Sequence, residues 1–156
     1  GGPEKGKTHQ VTGGQQMNSW SGQACNPYDT ERVPRGSSGG SGVAVSANLV
    51  TVAICEQTGM SCQGPASRNG ITTLLTTKGM LPDSGGIGNQ AFIDRAGVHA
   101  RTLDDAARVL DALKDANGGY YDPNDIYAAV PKQLIPAKPY ASFIVTDAGA
   151  KPLRRR

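Results

Sequence analysis

The 156-residue sequence is poor in aromatics, at 5%, and has only two histidines, His9 and His99, far apart along the chain. Its three cysteines, Cys25, Cys55 and Cys62, are odd in number and include no CxxC pair. That spacing offers no metal-ligand cluster, so neither a structural zinc nor a cofactor is expected. Long apolar runs are missing too. The longest, Leu49 to Cys55, is broken by Thr51 and falls far short of the roughly 20 residues that span a bilayer, so no membrane association is expected. No basic start, apolar core and small-residue cleavage site mark a signal peptide, which makes a reducing, cytoplasmic setting the default expectation. An excess of one charge is also lacking. Sixteen Lys and Arg against 13 Asp and Glu leave +3, and Arg154, Arg155 and Arg156 alone supply that number. A nucleic-acid partner is not expected, because phosphate binding needs several cations spread over a folded face.

What the chain has in abundance is turn chemistry. The 21 glycines and 10 prolines make up about a fifth of it, which argues against a helix bundle and for tight backbone approaches. The length suits one domain. Residues 1 to 36 carry no sustained period of 2 or 3.6 and read as a long loop, with Trp20, Tyr28 and the NPYD turn expected to pin it to the body. The run SSGGSGVAVSANLV predicts a helix of small residues near 39–49. VTVAIC at 50–55 predicts a buried central strand covered on both faces, and ITTLLTT at 71–77 a second strand. Thr102 and Asp105 can form a capping box for a helix whose apolar stripe is Leu103, Ala106, Val109, Leu110 and Leu113, ended by Asn117-Gly118-Gly119. A short helix over 122–129 and a final strand over 141–146 complete the reading. Strands alternating with helices indicate an α/β chain with an undersized sheet.

The chemistry centres on Ser61. It follows a T-G-M turn whose backbone N–H groups, from Thr58, Gly59 and Met60, can point inward together. Acyl transfer needs such donors, because negative charge grows on the carbonyl oxygen in the transition state. A serine in a glycine turn is commonplace, however, and by itself it reads only as a turn.

Ser37, 24 residues earlier, changes that reading. GSSGGSGVAVSANLV, then TVAIC, then EQTGMSCQGPAS resembles the amidase signature family over residues 36–67. GKTH at 6–9 is similar to the family's GKTN stretch, and NPYDTERVPRGSSGGS to its approach to the glycine-serine loop. DRAGVHARTLDDAARVLDAL at 94–113 is similar to its D-x-x-GPxARTxxDAAxxL segment. The resemblance implies a mixed, twisted β-sheet flanked by helices, incomplete in this chain, with residues 1–150 a single partial domain and 151–156 a basic tail. It also implies a Ser-Ser-Lys mechanism. Ser61 aligns with the nucleophile, and Ser37 with a relay serine that follows a cis peptide and passes the proton to the leaving amine.

The match departs at the lysine. In the family it precedes the GKTN segment, where this sequence starts, so Lys5, Lys7 and Lys78 do not occupy its position and read as solvated side chains. The opening Gly1-Gly2-Pro3 and the closing arginines suggest a segment of something longer, with tag residues as the competing reading. Near the turn, Gln57 stands for an acidic residue, Met60 for a glycine and Gln63 for an arginine. Met60 would narrow the turn, whereas loss of both charges at 57 and 63 leaves neither one buried and unpaired. Cys62 reads as core packing rather than a nucleophile, and His99 as a structural histidine. Two functions are expected to compete. One is an amidase acting on a small-molecule amide or ester through an acyl-enzyme. The other is an inactive segment serving as a structural or self-assembling unit, a homo-oligomer or the complement of another chain.

Overall fold

The computed structural model describes residues 17–18, 20, 22–86, 93–125 and 127–145. Strands β1 (Met17–Asn18) and β2 (Gly22–Gln23) form a short antiparallel ladder at the start. Helix α1 (Gly39–Ser46), strand β3 (Val52–Gln57), helix α2 (Gln63–Arg68), strand β4 (Thr72–Leu75), strand β5 (Arg95–Ala100) and helix α3 (Leu103–Ala112) follow. Two single 3₁₀ turns, Lys132–Leu134 and Tyr140–Phe143, close the described chain. No helix among the described residues is long and apolar enough to cross a membrane.

The main sheet has the order β3-β5-β4, and both of its pairings are antiparallel. With helices on both faces it is a small piece of an α/β architecture. The strand expected at the centre, β3, is instead at an edge. Its Cys55 and Gln57 are buried, but Ile54 is 52% exposed, so it is not covered on both faces. The centre belongs to β5. Its sequence, RAGVHA, hides a strand because Arg95, Gly97 and His99 interrupt the apolar pattern. Gly97 is required there by close approach: a Cβ would lie 3.0 Å from the Leu74 carbonyl oxygen and 3.1 Å from the Cys55 sulfur.

Side chains alternate across the sheet. On one face Val98 and Ala100 join Ala106 and Leu110 of α3, with Leu81, Tyr120 and Ile135, in the apolar core. On the other face Cys55, Gln57 and His99 meet the layer built from α1 and α2. Helix α3 begins as expected: the Thr102 hydroxyl accepts the Asp105 N–H at 3.1 Å. Its stripe is buried only in the middle, at Ala106 and Leu110, while Leu103 and Leu113 are 40% and 46% exposed.

Three expectations are corrected. Residues 122–125 form turns rather than a helix, shaped by carboxylates that accept N–H groups two residues on, as Asp122 does from Asn124. Residues 141–143 belong to a 3₁₀ turn and not a strand, and residue 146 lies outside the described residues. Trp20 is 96% exposed rather than buried against the body. The approach loop is held by buried residues instead. Asn26 donates its amide to the Arg68 carbonyl at 2.5 Å, Asn69 reaches back to the Pro34 carbonyl at 2.9 Å, and Val33 is buried between.

Candidate functional site

The glycine-serine loop owes its position to its smaller partners. Ser38 acts like a short strand residue: its hydroxyl donates to the Glu56 carbonyl at 3.0 Å and accepts the Glu56 N–H at 3.1 Å. Ser41 donates to the Ile54 carbonyl at 2.8 Å, so two serines fasten α1 along the open side of β3. At its far end Ser46 donates to the Asn69 carbonyl at 2.7 Å. Arg101 donates to the carbonyls of Val45 and Val50, satisfying acceptors at the helix C-terminus. Gly42 lets α1 touch α2, since a Cβ there would sit 3.0 Å from the Pro65 Cβ.

These contacts bring the backbone of the Ser37 loop to the Ser61 turn. The peptide bond between Gly36 and Ser37 is cis, the geometry that the resemblance attaches to this position. The next residue, Ser38, donates its N–H to the Ser61 carbonyl at 3.1 Å. Ser37 is exposed and Ser61 half-buried, and no hydrogen bond joins their two hydroxyls. Thr58, Gly59 and Met60 form an exposed bend before Ser61, and the N–H groups of Gly59 and Met60 find no acceptor among the described residues. Met60 does not narrow the bend, because its side chain is 63% exposed. With Arg35, Gly36, Gly64, Ser67 and Arg68 it borders a cavity of ≈ 280 Å³.

The bend is braced by the two residues that stand out in the sequence only for their missing charges. Gln57 is buried, and its side-chain oxygen accepts the N–H groups of Cys62 and Gln63, both at 3.0 Å. Its amide donates to the Gln63 side chain at 3.3 Å. The two glutamines thus form a neutral pair across the start of α2. On the other flank the Thr58 hydroxyl donates to the buried Asp94 carboxylate. Burial, and then the neighbouring Asp94 charge, holds the Glu56 carboxyl above its ordinary pKa. Asp94 is legible in the sequence only as part of a segment resemblance; nothing in its spacing points to Thr58.

The lysines stand apart. Lys78 is paired with Asp83 at 2.8 Å, and Lys5 and Lys7 lie outside the described residues. The cysteines bring a correction, because Cys62 does more than pack. It is bridged to Cys55, with a Cα–Cα separation of 5.6 Å, a pairing at odds with the expected reducing setting. His99, although remote in sequence, comes to the same place. The two sulfurs and one His99 ring nitrogen lie within 4.8 Å of one another, all three residues buried. A ligand-type cluster that spacing concealed is therefore assembled by the fold. His99 is held below its ordinary pKa by burial, partly opposed by its bond to the Cys62 carbonyl.

The profile of the Amidase family matches residues 6–140. One relative, a component of the glutamyl-tRNA(Gln) amidotransferase of Azoarcus sp. (strain BH72), is 36% identical over an alignment of 151 residues that covers 95% of this chain and 29% of that protein. Among solved structures, the peptide amidase from Stenotrophomonas maltophilia has a TM-score of 0.62 at 34% identity, covering 81% of this chain and 24% of that one. 6-Aminohexanoate cyclic dimer hydrolase has a TM-score of 0.67 at 29% identity, with 82% and 26% covered. The chain spans less than a third of the length of each of these three proteins.

Proposed function

The chain belongs to the amidase family, and on that premise we propose that it carries the nucleophile and relay of an amide-bond hydrolase acting through a serine acyl-enzyme. Ser61 attacks the scissile carbonyl, and Ser37 takes its proton and returns it to the leaving amine. The carbonyl oxygen becomes an oxyanion beside the N–H groups of the Thr58-Gly59-Met60 bend. The observation that carries this reading is the Ser38 N–H to Ser61 carbonyl bond at 3.1 Å, which ties the Ser37 loop directly to the residue expected to attack. Catalytic hydrogen bonds are often long before substrate binds, so the missing bond between the two hydroxyls does not count against the assignment.

The substrate is a small-molecule amide or ester. The named relatives include a peptide amidase and a cyclic dimer hydrolase, so the shared chemistry is cleavage of a carbon–nitrogen bond. The lysine base comes from further polypeptide, joined to this chain or supplied by a complementing one. Exposed apolar residues favour such a cover. Ile54, Leu113 and Tyr121, with Leu81 and Ala96, border an open groove of ≈ 390 Å³ on the sheet face that α3 only partly covers. Without the base, positioning and oxyanion donors still support slow reaction with activated acyl or phosphonyl groups. A fluorophosphonate probe is expected to label Ser61 and to spare Ser61→Ala. Equal labelling of both proteins would rule the assignment out.

A further inference from the structure

Behind the Ser61 turn the fold gathers the three buried side chains Cys55, Cys62 and His99. His99 Nε2 lies 3.0 Å from the Cys62 carbonyl oxygen. A carbonyl can only accept, so Nε2 carries the proton, and in the neutral ring Nδ1 is left with a bare lone pair. That Nδ1 is buried with no hydrogen-bond partner. Buried polar atoms without partners are uncommon and call for a physical explanation. Here the orphan is a strong σ-donor on a ring whose tautomer is locked by a backbone carbonyl, and one nitrogen of that ring lies within 4.8 Å of two sulfurs. A carbonyl on the second ring nitrogen is the usual outer-shell arrangement of a metal-binding histidine.

We propose that Cys55, Cys62 and His99 form a redox-gated site for a thiophilic cation of the zinc class, closed when the two sulfurs are bridged and open when they are reduced. Two thiolates and an imidazole are a soft donor set that selects such ions over magnesium or calcium. The step balances with two equivalents of a low-molecular-weight thiol. The bridge and two thiols give two protein thiols and one small disulfide. Binding of Zn²⁺ then releases the two thiol protons and forms two Zn–S bonds and one Zn–N bond. A fourth coordination position is left for water. A Cα–Cα separation of 5.6 Å suits a bridge. The site goes beyond the hydrolase reading and does not depend on it.

The test is metal retention by the whole chain, oxidised and thiol-reduced, after incubation with Zn²⁺ and desalting. Reduced protein is expected to keep one ion per chain and oxidised protein none. Co²⁺ in place of Zn²⁺ is expected to add sulfur-to-metal charge-transfer and visible ligand-field bands. Cys62→Ser is expected to abolish retention and Cys25→Ser to leave it unchanged. If Cys62→Ser does not fold, alkylation mapping of the wild type decides: Zn²⁺ must shield Cys55 and Cys62 and leave Cys25 as reactive as before. Folded, reduced protein that keeps no zinc, or shielding that falls on Cys25 instead, overturns the proposal. None of these readouts is catalytic, so its failure is distinct from a failure of the hydrolase assignment.

Discussion

Gln57 shows how one side chain can hold a turn without charge. Its oxygen takes two backbone N–H groups at the start of α2, and its amide meets Gln63. Gln57→Ala strands the buried Cys62 N–H and should cost about 1–3 kcal/mol, the usual range for an unsatisfied buried donor. Urea unfolding monitored by circular dichroism measures it, and an unchanged midpoint would contradict the bracing role. Glu56, next in line, works in the opposite direction. Its folded pKa is raised above the ordinary value of 4.5 by desolvation first and by Asp94 second. Its contribution to stability is therefore fully present below that ordinary value and is lost as pH rises through the folded pKa. Glu56→Gln should flatten this decline, with melting temperatures across pH 4 to 8 as the readout. Parallel wild-type and variant profiles would show that Glu56 does not titrate against the fold. Neither role is visible in the sequence beyond the charge loss at 57 and 63, because both depend on partners brought in by the fold.

At the scale of elements, the contact between α1 and α2 decides where the serine loop lies. Gly42 has no room for a Cβ against Pro65, whereas Gly40, in the same helix, has nothing within 4 Å of the same position. Gly42→Val should destabilise by about 1–3 kcal/mol through overpacking, while Gly40→Ala should be neutral or slightly stabilising through helix propensity. Equal effects at the two positions, measured by thermal melts, would contradict the close packing. The elements legible in advance are those whose signal is local. The small-residue helix α1, strand β4 and the Thr102-capped α3 follow from caps, β-branched runs and apolar period. Strand β5 is not legible, because Gly97 and His99 are there to fit neighbours rather than to favour an extended chain. The 3₁₀ turn at 140–143 reads as a strand because ASFIVT has strand composition, yet it has no strand alongside it among the described residues. Helix α2 is concealed in a glycine- and proline-containing stretch, where its start depends on the Gln57 side chain six residues before Gln63.

For the whole molecule, the fold is proposed to make one chemical unit of two serines 24 residues apart. That pairing is proposed from the order of motifs around residues 37 and 61. The serine comb of α1, the glutamine brace and the cysteine bridge that hold the unit together are not legible in the sequence, since each joins atoms from separate elements. The open apolar face around Ile54 fits the cover proposed for it. The most direct measurement compares fluorophosphonate labelling rates at Ser61 for the wild type and Ser37→Ala, with circular dichroism confirming that the variant is folded. Loss of the hydroxyl placed to receive the proton should slow labelling. Labelling of a folded Ser37→Ala protein at the wild-type rate would mean that the two hydroxyls do not act together.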